Sequence, residues 1–460
     1  MADLGTLGDQ LLLPVEKALD DDDPAKERKR SKKWCGTVAL YMLYAALFSF
    51  KPSEAFLVDF ILSRGVDGAQ SETEISRQVF SVFTYTRMPA LLMCLFLCRF
   101  WGCKAVVAWS ALCGLATTAL TIAGPSLAWL QLSQALASFA FAGHVAFDAL
   151  QFSRVEPGTF RLVSHLTKGA ELASCCVSSV LGQFLRQRWG ERPLFAVTLA
   201  FEALAVLVAL CLQGAREHPE GQKRGTRGRR PFSAAWRSLW HGEVFRWTLV
   251  WVFCYAGHDL VLTNWQILAE VKLSDLNLPN LNGYTWSAAY LASAAITLAA
   301  APCDLAGGSA HTIQTMAPLA MAAALFGMAS SRSGALGMYS SFVVFQCAFQ
   351  VTAAVRNASV ASEVSDGSKG GGGGGEGGGG GVDPTFVLSA VLWAASGAGL
   401  GLEAAAMAVV QSAARLSFAD ASVWLGMSSC LGLVGVGFGA YFTVRSLRGR
   451  RLPFSLPDDM

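Results

Sequence analysis

The sequence predicts an all-α membrane protein of twelve transmembrane helices in two sets of six. Three observations carry this: an apolar composition with little charge, apolar runs long enough to cross a bilayer, and one basic linker midway along the chain. Of 460 residues, 53% are hydrophobic and 15% charged, where a soluble chain carries roughly a quarter charged residues. Runs of 18 or more apolar residues are long enough to cross a hydrocarbon core about 30 Å thick. Only helices and closed barrels satisfy their backbone groups in lipid. The run Ala105 to Ala123 lacks the alternation of a barrel strand, so the spans are helices.

Taken in order, a polar tail 1–33 carries the acidic patch Asp20 to Asp23 and then Lys26, Arg28, Lys29, Arg30, Lys32 and Lys33. No short apolar core with a small-residue cleavage site precedes it, so no cleaved signal peptide is expected and the first span serves as the insertion signal. That span, 34–62, carries Pro52 two-thirds along, which predicts a kink or an emerging end. Charged or Gly/Pro-containing breaks then delimit spans 76–98, 104–124, 126–152, 161–185 and 192–213, which complete a first half, 34–213. A basic, Gly-bearing linker, 214–243, leads to spans 244–270, 284–303, 313–330, 335–362, 385–412 and 421–443. These make the second half, 244–443, before a basic tail, 444–460. Within it, residues 363–383 hold an almost pure glycine run interrupted by Glu376, read as flexible coil. Six plus six spans about a linker is the layout of a major facilitator-type bundle, whose substrate site lies between the halves near the midplane.

Basic loops set the orientation. With the N-terminus in the cytosol, that side receives the basic tail, Arg99 with Lys104, Arg154 with Arg161, the run from Lys223 to Arg230, and Arg445, Arg448, Arg450 and Arg451. The opposite side has Glu72 and Glu74, with Arg186, Arg188 and Arg192 as the exception. Both termini and the linker are therefore expected to be cytosolic.

Other classes find little support. A net charge of +3 is too small to argue for nucleic acid. The twelve cysteines lie mostly inside apolar runs without metal spacing, and Cys175-Cys176 are neighbours that cannot readily pair. They read as packing residues. The sequon Asn357-Ala358-Ser359 falls within an apolar segment, so no glycan is expected. No nucleophile elbow, Walker loop, zincin helix or dinucleotide loop is present. No enzyme, cofactor or metal is expected.

A charge at mid-span costs roughly 2.5–3.5 kcal/mol on insertion scales, so such groups normally face a cavity. In span four, His144, Asp148 and Gln151 form one stripe at i, i+4 and i+7, a pattern suited to cation binding or proton relay. Lys168 and Glu171 in span five are i, i+3, and serve equally well as a structural ion pair between spans. Asp259, Thr263, Gln266 and Glu270 form a stripe in span seven beside His258. Gln346, Gln350 and Asn357 do so in span ten, with Arg356 near its inner end. Glu202 and Glu403 stand isolated in spans six and eleven.

Several segments resemble the reduced folate/thiamine carrier family. Lys51-Pro52-Ser53-Glu54-Ala55-Phe56 is similar to that family's signature at the end of its first span. Glu74 with Phe83-Thr84-Tyr85-Thr86 is similar to its entry into span two, and Ser178 to Gln183 to its Ser-Ser-Val-Leu-Gly-Gln element in span five. Asn282-Gly283 resembles the opening of span eight, and Tyr339 to Gln350 resembles span ten. The resemblance implies a major facilitator fold that imports thiamine, reduced folates or a related vitamin, with Glu54 and Tyr85 at the site. By register, His144 falls where folate carriers hold arginine and thiamine carriers glutamate. The span-ten arginine of folate carriers falls on Gln346 and the span-five arginine on Lys168. The acidic residue at the inner end of span two becomes Arg99, and the span-eleven lysine falls on Leu392 or Gly397.

A folate is dianionic at its glutamate end, whereas thiamine is a cation that stacks on aromatics and bonds to a carboxylate. This chain keeps Lys168 but loses the arginines and adds Asp148 and Asp259, so the charge count leans to thiamine. The expected substrate-binding residues are Glu54, Tyr85, His144, Asp148, Lys168, Asp259, Gln266 and Gln346. The expected partners are a small vitamin, the lipid bilayer (by family default the plasma membrane) and a coupling proton or organic anion, with no nucleic acid. An anion carrier for reduced folates is the first rival, and a non-transporting receptor or scaffold of the same fold the second.

Overall fold

The computed structural model describes residues 24–67, 69–71, 74–124, 126–153, 155, 159–214, 238–240, 242–276, 281–300, 308–330, 334–370, 384–412 and 421–450. The charged side chains of the N-terminal tail, Glu72, the side chain of Arg99, Arg154, the side chains of Arg161 and Glu270, most of the linker, the glycines from 371 onward and the arginines of the C-terminal tail lie outside that description.

Among the described residues twelve long helices follow one another: α1 Pro24–Phe48, α2 Ser81–Trp101, α3 Cys103–Ala123, α4 Leu127–Phe152, α5 Phe160–Trp189, α6 Arg192–Cys211, α7 Gly242–Leu276, α8 Asn282–Ala300, α9 Gly308–Ala329, α10 Ala335–Gly370, α11 Pro384–Ser412 and α12 Ala421–Arg450. No strand occurs among the described residues. Eight of these helices (α2, α3, α4, α6 and α9 to α12) contain a stretch long and apolar enough to cross a membrane. The other four are shortened or diluted by polar groups. The apolar part of α1 is Cys35–Phe48, α5 holds Lys168 and Glu171, α7 holds Asp259, and α8 is rich in serine and threonine.

The boundaries differ most from expectation at the first span and at the glycine-rich insertion. The first span starts at Pro24 rather than 34, and its long helix ends at Phe48 rather than 62. Pro52 brings no N–H and biases Lys51 away from helical geometry, so the ladder stops one turn ahead of it. The chain restarts as a 3₁₀ turn, Glu54–Phe56, and a short helix, Leu57–Ser63. The second difference is at the glycine-rich insertion, where α10 continues to Gly370. Residues 363–369 contain a single glycine, and polar residues by themselves do not end a helix.

The first six helices meet the last six along two seams, with α5 packed on α8 and α2 on α11. Apolar clusters bridge the two halves near opposite ends of the helices. At one end Phe56, Phe60 and Phe195 join Trp265 and Trp286. At the other, Phe152 of α4 joins Trp247 of α7, Val355 of α10 and Leu392 of α11. The outward faces carry exposed Leu92, Phe96, Leu207, Leu433 and Val436, an apolar surface of the kind that meets lipid. The carrier-like signature ending the first span packs on the span-five element. The Pro52 carbonyl lies so close to Gly182 that a Cβ there would collide with it, and Ser53 Oγ is 2.9 Å from Thr198 Oγ1 of α6. The basic exception is offset locally, since Arg186 pairs with Asp59 at 2.6 Å and with Glu191 at 3.8 Å.

Candidate functional site

A cavity of about 150 Å³ opens between the halves, walled by the end of the first span and by α2, α3, α4, α6, α7 and α8. Its aromatic walls are Phe80, Phe83, Phe141, Phe195 and Trp286, and its charged groups are Lys51, Glu54, Arg87, Glu202 and Asp259. The broken helix after Phe48 is what places Lys51 and Glu54 there, since a continuous helix would have carried them past the cavity.

The charges are arranged in pairs across the fold. Lys51 Nζ is 3.3 Å from Glu202 Oε1 and lies over the Phe48 and Phe141 rings at 4.9 and 5.7 Å. Arg87 Nη1 is 2.7 Å from Asp259 Oδ2 and 3.7 Å from Glu403 Oε2. Glu202 and Glu403, isolated in the sequence, are thus each partnered. Glu54 makes no ion pair among the described residues, and its backbone carbonyl accepts a hydrogen bond from Gln266 Nε2 at 3.3 Å. Two basic groups therefore face three cavity-lining carboxylates, with the fourth, Glu403, directly behind Arg87.

Of the residues expected to bind substrate, Glu54, Asp259 and Gln266 line this cavity. Gln346 lies behind it, its Oε1 3.0 Å from His258 Nε2, while His258 Nδ1 is 3.4 Å from Asp259 Oδ1. The His258 ring stacks on Phe349 with centroids 3.6 Å apart. His144, Asp148 and Lys168 form a second polar level outside the cavity lining. His144 packs edge-on against Phe48 and at a tilt against the cavity-wall Phe141, with ring centroids 5.3 and 5.9 Å apart. Lys168 pairs with Glu171 at 2.8 Å along α5 itself, not between spans. Asp148 lies one turn beyond His144 on α4. Arg356, expected near a helix end, is buried over the Trp251 ring at 4.6 Å. Tyr85 is 41% exposed on the outer face of α2, away from the cavity, whereas its neighbours Thr84 and Arg87 point inward.

Sequence reasoning missed Arg87 altogether. The signal was present, as a lone arginine in the middle of an apolar span is costly without acidic partners. Its partners lie on α7 and α11, far away in the chain, so no local spacing reveals them. None of the eleven described cysteines forms a disulfide, and Asn357 of the sequon sits within α10, accepting from Arg356 Nη1 at 2.9 Å.

Two bundles of six helices with a polar, aromatic-walled cavity between them define a major facilitator-type membrane transporter. Solved structures agree at the level of fold. An auto-inhibited peptide transporter of the POT family superposes with a TM-score of 0.63 at 12% identity, covering 88% of this chain and 96% of that one. A human organic anion transporter superposes at 0.58 and 14% identity, covering 87% and 98%. The reduced folate carrier family model matches residues 32–230 and 221–369, and the chain belongs to that family, whose members are membrane transporters rather than enzymes. The rat reduced folate transporter is 22% identical over 75% of this chain and 73% of its own length. The human reduced folate transporter is 24% identical over 73% and 63%. Human thiamine transporter 1 is 27% identical over 40% of this chain and 37% of its own length.

Proposed function

We propose that the chain carries a vitamin across the membrane by alternating access, with thiamine as the substrate. The observation that supports this most is the acid excess at an aromatic-walled cavity. Lys51 and Arg87 face Glu54, Glu202, Asp259 and, just behind, Glu403. A dianion gains nothing there, whereas an aromatic cation has carboxylates to pair with and the Phe83, Phe141 and Trp286 faces to stack on. In this reading Glu54, Asp259 and Gln266 contact the substrate, and Gln346 orients Asp259 through His258. His144, Asp148 and Lys168 form the level crossed on the way to the other side. Tyr85 faces lipid. The termini and linker are cytosolic, and the membrane is the plasma membrane.

One observation favours a reduced folate as a second reading. Arg356 Nε and Nη2 are buried without a hydrogen-bond partner among the described residues, which leaves a cation to meet an anionic substrate. Uptake of labelled thiamine and of a labelled reduced folate, in cells lacking carriers for both, separates the readings. Thiamine accumulation is expected. Folate accumulation alone reverses the assignment, and neither leaves a non-transporting receptor or scaffold.

A further inference from the structure

Arg87 supplies one positive charge to two carboxylates, in a place where an unbalanced charge is costly. Arg87, Asp259 and Glu403 are 5%, 4% and 0% exposed. The guanidinium lies over Phe83 and Phe141 at 4.9 and 5.5 Å, and Nη2 donates to the Tyr255 hydroxyl at 2.9 Å. Glu403 is fixed from its other side by the Thr84 hydroxyl, which donates at 3.2 Å. The pairing is lopsided: Asp259, which lines the cavity, is held at 2.7 Å, while Glu403, behind it, is held at 3.7 Å. A cation arriving from the cavity meets Asp259 first. If it takes that carboxylate, Arg87 needs only a small movement to close on Glu403. The cluster then contains two cations and two carboxylates, each paired. A neutral ligand leaves the surplus negative charge in place, and a dianion adds to it.

We infer that Arg87 is a specificity-determining residue that reserves Asp259 and Glu403 for a monocationic aromatic substrate, whose charge displaces Arg87 from Asp259 onto Glu403. This rests on the reading of the cavity as a cation site. It also couples occupancy to the α2–α7 contact, because the pair that substrate replaces joins those helices alongside the Arg87–Tyr255 hydrogen bond.

The test is equilibrium binding of labelled thiamine, and separately of a labelled reduced folate, to the full chain in lipid nanodiscs. Charge counting makes four expectations. Glu403→Gln, nearly isosteric, leaves Arg87 and Asp259 balanced without substrate and weakens thiamine at least about tenfold. Arg87→Gln binds thiamine at least as tightly as the wild type but transports it more slowly. The double variant Arg87→Gln/Glu403→Gln leaves Asp259 alone to meet the cation and returns affinity to within about threefold of wild type. Arg87→Lys keeps the wild-type order. A merely structural ion pair gives a different pattern: the single variants lose thermal stability that the double variant recovers, and thiamine affinity does not follow the charge count. That pattern, or unchanged thiamine affinity in a Glu403→Gln protein of wild-type thermal stability, overturns the inference while leaving thiamine as substrate. Wild-type binding of the folate and not of thiamine overturns the inference and the cation reading together.

Discussion

Gln183 and Gly283 meet through one hydrogen bond, the Gly283 N–H donating to the Gln183 side-chain oxygen at 3.1 Å. The contact joins the last residue of the Ser-Ser-Val-Leu-Gly-Gln element to the opening of α8, so two segments that look unrelated in the sequence form one side of the α5–α8 seam. A Cβ at position 283 would come within 2.7 Å of Gln183 Oε1 and 3.0 Å of the Ser179 carbonyl.

Gly283→Ala is therefore expected to overpack the seam and to destabilise the protein by about 1–3 kcal/mol. The measurement is thermal unfolding of purified protein in detergent. An unchanged midpoint would show that the seam yields freely.

Lys51 and Glu202 are a nearly buried pair, 17% and 1% exposed at the side chain. Removing the lysine alone strands a carboxylate, at a cost of about 3–5 kcal/mol, whereas replacing both members is far less harmful. Lys51→Met should cut the yield of folded carrier, and Lys51→Met/Glu202→Gln should recover most of it, as followed by gel-filtration profile. Equal losses in the two variants would remove the pair from the account of stability.

The two polar levels should separate in transport kinetics. Glu54→Gln is expected to raise the half-saturation concentration for thiamine about tenfold with little change in maximal rate, as for loss of a charge partner to bound substrate. Asp148→Asn, on the second level, is expected to lower the maximal rate more than it raises half-saturation. Uptake measured at equal surface expression decides, and identical kinetic signatures for the two variants would merge the levels into one site.

The basic loops predict that the linker faces the cytosol. A single cysteine at position 225, on a background stripped of native cysteines, should resist an impermeant thiol reagent in intact cells and react after permeabilisation. Labelling in intact cells would invert the topology.

Helices were the legible part of this chain. Long apolar runs mark eight of the helices outright, and the expected centres of all twelve spans fall inside α1 to α12. Ends were less legible, because a helix leaving the bilayer continues through polar residues, as α1 does before Cys35 and α10 does after 362. The candidate site was half legible. Asp259 and Gln266 share a helical face, and the carrier-like signature points to Glu54, so local spacing and resemblance suffice for those. Arg87 with Glu403, and Lys51 with Glu202, are contacts between distant helices, and one sequence contains no record of which helices touch. Tyr85 shows the converse limit, since a resemblance carries a residue's identity but not the direction its side chain takes.

Pro89 lies inside α2, two residues beyond Arg87. Proline withholds one N–H from the ladder and crowds the turn before it, so α2 is weakest mechanically beside the residue that balances the charges of the cleft. If substrate displaces Arg87 as inferred above, that release and a bend in α2 are coupled at Pro89. For pharmacology the consequence is a rule for blockers. An aromatic cation that reaches Asp259 but carries a rigid substituent wedged between Phe83 and Phe141 would claim the carboxylate while splinting the bend. Such a compound would be held without being delivered, and its potency would depend on the bulk beside its charge more than on the charge itself.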